Sequence, residues 1–399
     1  MAGYLVRRLL QMILVVFLSA MASYAILNFA PGGPLAGLRQ QTQSSRNRLT
    51  EEDIARIRAY FELDLYLPIR FSRWFLGWPR GPIVVAGNDL FKDSPIGCRK
   101  TIEGVYKDSK GNFQTKVVGC AEYVYLTSLV NRRSSNGVIR GDFGNSWRLN
   151  RDRPVTDLLW SRLPKTLLLG GLVILISLGL AIPLGIYSAV HQYSKFDYIF
   201  TSFAFMGQSM PTFFFGIMMI LLFTIVFKNA GLPYLPPGSA AAVRDWNMPW
   251  FGTIVAGSMV DRGLHLILPV AVLTFVSVAG WSRYVRSSML EVLRQDYVRT
   301  ARSKGLTENV VIAKHALRNA LIPFVTLAVF TLPTIFAGAI ITETIFSWPG
   351  MGRLYFLALG DYDYPVAMAI LFIIAILTVI ATLIRDILYT VLDPRIRYT

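Results

Sequence analysis

Six apolar blocks, each near or above the ~20 residues that a helix needs to cross a bilayer, decide the fold class before any other signal is read. They run over Leu9–Ala30, Thr166–Val190, Tyr198–Phe227, Leu264–Tyr284, Ala320–Thr342 and Val366–Tyr389. The chain is 53% hydrophobic and only 16% charged, and its apolar residues are gathered into these blocks. That combination marks an integral membrane protein and excludes a soluble globule. A net charge of +16 would otherwise raise nucleic acid as a partner. No nucleic-acid-binding signature accompanies it, and loops facing anionic lipid explain basic excess more simply. Two cysteines and three scattered histidines (His191, His265, His315) form no metal-ligand pattern.

The first block follows Arg7-Arg8 and competes with a signal peptide, which small residues around Ala20 to Ala25 would suit. Its length exceeds the about 7–15 residues of a signal h-region, so it is expected as an uncleaved first helix. Charge then orients the chain. Arg7, Arg8, Lys195, eight basic residues between Arg283 and Arg318 and three after Ile384 fall on one side. The short loops of the other side carry Lys228, Arg244, Arg262 and Arg353. The positive-inside rule places both termini in the cytoplasm.

The expected organisation is therefore residues 1–30 as first span, 31–165 as an extracytoplasmic domain, 166–390 as a five-helix core, and 391–399 as a cytoplasmic tail. Within the outer domain Thr50 is expected to cap a helix with Ile54, Ile57 and Phe61 on one face. Trp74 and Trp78 read as interfacial anchors near a turn at Pro68. Cys98 and Cys120 bracket two strand-like runs around Asp108-Ser109-Lys110-Gly111, a β-hairpin signal. An oxidising compartment would let them pair at the hairpin base; two buried free thiols are the alternative.

Between the fourth and fifth blocks lies a polar, basic stretch, residues 288–318. Ser288 and Glu291 have capping-box spacing, and Leu290, Leu293, Tyr297 and Ala301 recur as a helical stripe. Gly305 suits a helix stop and Thr307 a second cap, so the stretch is expected as helix, glycine turn, helix, offered to a soluble partner. Chemistry is otherwise sparse. No P-loop, no HExxH motif and no nucleophile–base set is present, which argues against an enzyme. Prolines interrupt four spans (Pro183, Pro211, Pro269, Pro323 and Pro333), which fits either kinked packing or a lined cavity. Gln208 and Ser209 before Pro211, with Thr326 and Thr334 on the fifth helix, are the polar candidates for a translocation path. Glu343 either pairs locally or lines the path entrance.

At "DYVRTARSKGL…HALRNALIP" the sequence resembles the cytoplasmic coupling loop of ABC-importer permeases of the dipeptide/oligopeptide/nickel family. "YLVRRLL", "APGGP", "GDFGNSW", "RLPKTLLL", "MPTFFFGIMMILLF", "HLILPVAVLTF", "TETIFSWPGMGRL", "DYPV" and "DPRIRY" extend the similarity in order along the chain. The importer motif that usually begins Glu-Ala-Ala here has Arg299, Thr300 and Ala301, with Gly305 at the usual spacing. The insert at about 79–136 is not typical of the family.

The resemblance implies an all-α polytopic fold, a type I importer permease bundle of six transmembrane helices, to which the residues themselves add the extracytoplasmic domain with its β-hairpin. It implies a multi-pass protein of the bacterial inner membrane, one of two homologous permease subunits, with two ABC ATPase subunits that hold ATP and Mg and an extracytoplasmic solute-binding protein. Arg299, Thr300, Ala301, Gly305, Leu306, Thr307, His315 and Arg318 would be the ATPase-coupling residues. Gln208, Ser209, Pro211, Thr326, Pro333, Thr334 and Glu343 would be the path. No cofactor belongs to this chain itself. A self-contained secondary transporter or channel is the competing class, but no internal repeat or intramembrane ion-coupling charges support it.

Overall fold

The computed structural model describes residues 2–29, 51–85, 88–107, 113–130, 132, 135–337 and 339–392. Among these, six helices are long and apolar enough to cross a membrane: Val6–Phe29, Val155–Val190, Thr212–Asn229, Met259–Leu293, Phe324–Ile345 and Tyr364–Tyr389. The protein is a mostly helical polytopic membrane protein with small β-hairpins. Its chain divides into two compact units. One comprises Met1–Phe17, Ser161–Phe356 and Ile373–Thr399; the other comprises Leu18–Trp160 and Leu357–Phe372.

In the second unit, the part of α1 (Ala2–Phe29) from Leu18 onward is followed by α2 (Glu51–Tyr60) and α3 (Leu67–Leu76). Pro68 starts α3 instead of marking a turn, because its fixed φ and missing N–H suit the first helical turn. Trp74 is not an interfacial anchor. It is buried against Tyr24, Phe71, Phe75 and Phe372, an aromatic cluster that gives this small unit its core, whereas Trp78 is exposed. The Thr50 cap and the Asp108–Gly111 turn lie outside the described residues.

Strands β1 (Ile83–Val85) and β2 (Asn88–Leu90) form a short ribbon, and β3 (Gly97–Lys107) pairs antiparallel with β4 (Phe113–Val124). The Cys98 and Cys120 sulfurs are bonded, with Cα atoms 5.9 Å apart. They are not directly opposite: Cys98 faces Tyr123, Cys120 faces Thr101, and the register shifts between them. The bulge brings two diagonal neighbours within disulfide reach.

Asp363 ties the end of this unit together. Fully buried, it accepts hydrogen bonds from the Trp147, Arg148 and Leu149 N–H groups at 3.0–3.1 Å and from the Ser146 hydroxyl. One carboxylate satisfies four donors of a turn that has no strand to pair with.

The first unit holds most of the spans. Helix α4 runs Val155–Val190, eleven residues longer at its start than the apolar block. At 36 residues it is about 54 Å long, beyond the ~30 Å that a hydrocarbon core requires. Pro211 splits the third block into α5 (Lys195–Ser209) and α6 (Thr212–Ile220), the latter continuing through a π-turn at Leu221–Val226. Strands β5 (Trp246–Met248) and β6 (Gly252–Ile254) precede α7 (Met259–Leu293). Ser288 is therefore interior to α7, not a cap. Helix α8 (Asp296–Ser303) is separate. After it come Glu308–Val310, a π-turn at Val311–Ala316, Leu317–Ala320 and α9 (Ile322–Ala337). Helices α10 (Ile340–Ile345), α11 (Met351–Gly360) and α12 (Tyr364–Leu392) complete the chain. α11 lies within what reads in the sequence as a loop.

The core of this unit joins α4, α7 and the segment leading into α9. Ala189, Val285, Met289, Ala316, Ala320 and Phe324 are buried together. Three alanines in that set let helix backbones approach closely, which is how spans pack when lipid is as apolar as the interface.

Candidate functional site

The segment between α7 and α9 is a protruding element on a fixed base. Helix α7 ends at Leu293, the chain turns at Arg294 and Gln295, and α8 begins without a side-chain cap. The predicted stripe is thus broken across two helices. Tyr297 is exposed, and the buried residues of α8 are Val298 and Ala301, three apart, which pack with Val311 and the half-buried Val292 and Leu293. That apolar contact seats α8. Its other face and the following turn, from Arg299 and Thr300 through Leu306 and Thr307, stand in solvent. Ala301, grouped by sequence with the docking residues, instead belongs to the anchored face.

Gly305 takes φ +74°, the left-handed conformation that a helix end of this type requires, and its N–H reaches the Arg302 carbonyl at 3.0 Å. No atom lies within 4 Å of where a Cβ would sit, so conformation alone, not crowding, selects glycine here. Across the turn Arg302 grips Glu308 with two hydrogen bonds, 3.0 and 2.6 Å long. The hydrogen bonds from Arg302 hold the Glu308 carboxyl below its usual range. Thr307 occupies a cap position but its side chain caps nothing. His315 is half-buried on the π-turn and Arg318 is exposed.

A second carboxylate anchors the base. Asp197, 3% exposed, caps α5 with Ser194 and receives both Nε and Nη2 of Arg286 from α7 at 2.8 Å. The Ser188 hydroxyl and the Tyr193 N–H complete its shell. Burial pushes this carboxyl up, but the bonds from Arg286, Ser188 and Tyr193 outweigh it and hold it at about 2. This charged, bidentate pair ties α7 to the start of α5. Sequence reading missed Asp197, although Ser194-x-x-Asp197 is capping-box spacing; Ser258-x-x-Asp261 repeats it at the start of α7. Asp261, fully buried, accepts from the Ala242 and Gly257 N–H groups and the Trp246 indole.

The candidate path residues fall in three environments. Gln208 and Ser209 are exposed at the end of α5, beside the break at Pro211, and Gly280 of α7 faces the Gln208 amide. Thr326 bonds the Tyr389 hydroxyl, Pro333 is buried within α9, and Thr334 is exposed while its hydroxyl bonds the Thr331 carbonyl. Glu343 is fully buried, which corrects its place at a path entrance in favour of local pairing. It accepts from the Arg353 N–H at 2.9 Å and the Thr166 hydroxyl at 3.3 Å; Thr166 in turn accepts from the Met351 N–H. A Cβ on Gly350 would come within 2.4 Å of the carboxylate, so only glycine lets the chain fold over it.

A family model described as "Binding-protein-dependent transport system inner membrane component" matches residues 181–398. The chain is 41% identical over 261 residues, 65% of its length and 78% of the relative's, to "Oligopeptide transport system permease protein AppB" of Bacillus subtilis (strain 168). To "Dipeptide transport system permease protein DppB" of Escherichia coli (strain K12) it is 40% identical over 270 residues, 66% and 78% of the two chains. "Oligopeptide transport system permease protein OppB" of Haemophilus influenzae is 37% identical over 259 residues, 65% and 77%.

Proposed function

This chain belongs to the family of binding-protein-dependent transport system inner membrane components, and from that premise we propose that it conducts peptides through an importer whose ATPases grip the residue 288–318 segment. It is a multi-pass membrane permease component of an ABC importer, and not itself an enzyme; ATP is hydrolysed on separate subunits. Peptide cargo is supported by the relatives named above as oligopeptide and dipeptide permeases.

The observation that carries the docking role is the division of α8 into a buried face, Val298 and Ala301, and a solvent face ending in the Gly305 turn. In this reading Arg299, Thr300, Leu306 and Thr307 contact an ATPase, while Ala301 and the Asp197–Arg286 pair keep the element rigid. His315 and Arg318 follow it into the fifth span. ATPase closure then pushes on α8 and, through the shared core, on α7 and the approach to α9. Two ATPase subunits, a second homologous permease and an extracytoplasmic binding protein complete the assembly. Both termini face the cytoplasm, with the 31–165 domain outside and the 391–399 tail inside. Gln208, Ser209, Pro211, Thr326, Pro333 and Thr334 border the path.

Replacing Gly305 tests this reading. Gly305→Val forces a β-branched residue into the left-handed region at about 1–2 kcal/mol, enough to reorient an exposed turn. In proteoliposomes holding the whole transporter, ATP-driven peptide uptake should fall to background with Gly305→Val and survive with Gly305→Asn. Full uptake by the valine variant, correctly inserted, would exclude docking through this turn.

A further inference from the structure

The hairpin-bearing unit contains a cavity of about 340 Å³, at the small end of the range for ligand sites. Its wall combines charge with aromatic surface, including Phe61 and Trp147, whose rings lie 4.5 Å apart. The acidic groups in the wall are already engaged. Glu62 is taken by Arg73 (Nε to Oε1 3.0 Å), Asp142 accepts the Asn136 and Gly144 N–H groups, and Asp152 accepts the Tyr60 hydroxyl at 2.6 Å.

Two donors in the same wall are not. The Arg70 Nε is buried without an acceptor, and so is the indole N–H of Trp74, a residue nine-tenths buried. A buried donor left unmade costs about 1–3 kcal/mol, more when charged, so the pair is set for a ligand that brings an acceptor. Glu62, Asp142 and Asp152 in the wall make a polyanion unwelcome, and with Arg73 held by Glu62 it is Arg70 that is left to meet a single carboxylate. We propose that this cavity binds a small carboxylate-bearing solute of amino-acid or dipeptide size. Its carboxylate lies on Arg70 and Trp74, and its apolar side chain lies against Phe61 and Trp147. The choice of a peptide as ligand rests on the proposed cargo; the site itself does not.

The test is equilibrium binding to the full chain in nanodiscs of zwitterionic lipid, without ATPases. Calorimetric titration should give saturable binding of the dipeptide Ala-Phe. Binding should weaken about tenfold or more for its C-terminal amide and for Arg70→Gln, with partial recovery in Arg70→Lys. Trp74→Phe, which keeps the ring packing and removes only the donor, should weaken binding several-fold with unchanged circular dichroism. Equal binding of acid and amide, no effect of either substitution, or no binding at all would overturn the proposal. Displacement of the dipeptide by inorganic phosphate or by phosphatidylglycerol added to the nanodisc would also overturn it, in favour of a general anion or headgroup site. Absence of dipeptide binding by the unsubstituted chain, with ATP-driven uptake by the whole transporter retained, would sink this site and leave the transport reading standing.

Discussion

Single carboxylates hold this protein together at places where the sequence offers only an acidic residue near a helix end. Asp197, Asp261, Glu343 and Asp363 each gather two or more donors in a buried setting. Asp197 gives the plainest pH consequence. Its carboxyl is lowered in the folded state from 3.8 to about 2, so the stability it supplies is fully present above pH ~4 and is lost as pH falls through about 2. Between pH 5 and 8 the Asp197–Arg286 link is therefore insensitive to pH. Asp197→Asn should remove the charge and loosen α8, cutting coupled ATPase stimulation several-fold at neutral pH while leaving pH dependence from 5 to 8 unchanged. A new pH transition in that range in the wild-type transporter, abolished by the substitution, would contradict this account. Glu343 teaches a different lesson. Read in sequence, a carboxylate at a span terminus suits a path; in the fold it is walled in by Thr166, Gly350 and Arg353.

The segment between α7 and α9 and the hairpin bear out element patterns unequally. The Gly305 stop follows from local chemistry, because a left-handed residue at a helix end favours glycine wherever it occurs. Where the helix before it begins does not, since Ser288 and Glu291 match a cap yet lie inside a helix continued by tertiary packing of Val285 and Met289. Period also misled at Tyr297: with a break at Arg294–Gln295, the inward positions shift to Val298 and Ala301. For the hairpin, alternation and turn residues indicate two strands, but the bulged register between Cys98 and Cys120 is a property of the paired strands. The bond closes a separation of 22 residues, worth about 3 kcal/mol of stability in the chain-entropy treatment. Reduction, or Cys98→Ser with Cys120→Ser, should lower the unfolding midpoint of the hairpin-bearing unit while uptake persists. Two free thiols in non-reduced peptides from membrane-extracted protein would refute the pairing.

At the scale of the whole molecule, the order of spans and the distribution of basic residues predict which regions share a side. A cysteine at Lys304, in the docking turn, should react with a membrane-impermeant maleimide only after cells are opened. A cysteine at Lys92, exposed beside the β1–β2 ribbon, should react in intact cells. Labelling of both in intact cells would reject the orientation. The protein needs no nucleotide site of its own, because its family splits transport between membrane and ATPase subunits. Coupling must then cross a protein interface, and the exposed face of the seated helix α8 is the contact proposed for it.

By itself the sequence determined the number of spans, the polar segment between the fourth and fifth, and the hairpin, since each depends on composition and period within one stretch of chain. Only the tertiary structure decided that α4 and α7 extend beyond their apolar blocks, that Trp74 is core, that Glu343 and Asp363 are anchors, and that Arg70 and Trp74 share a wall with unused donors. Those outcomes depend on residues far apart in the chain arriving at one place. No local pattern records which donors a buried carboxylate will meet or which will be left waiting.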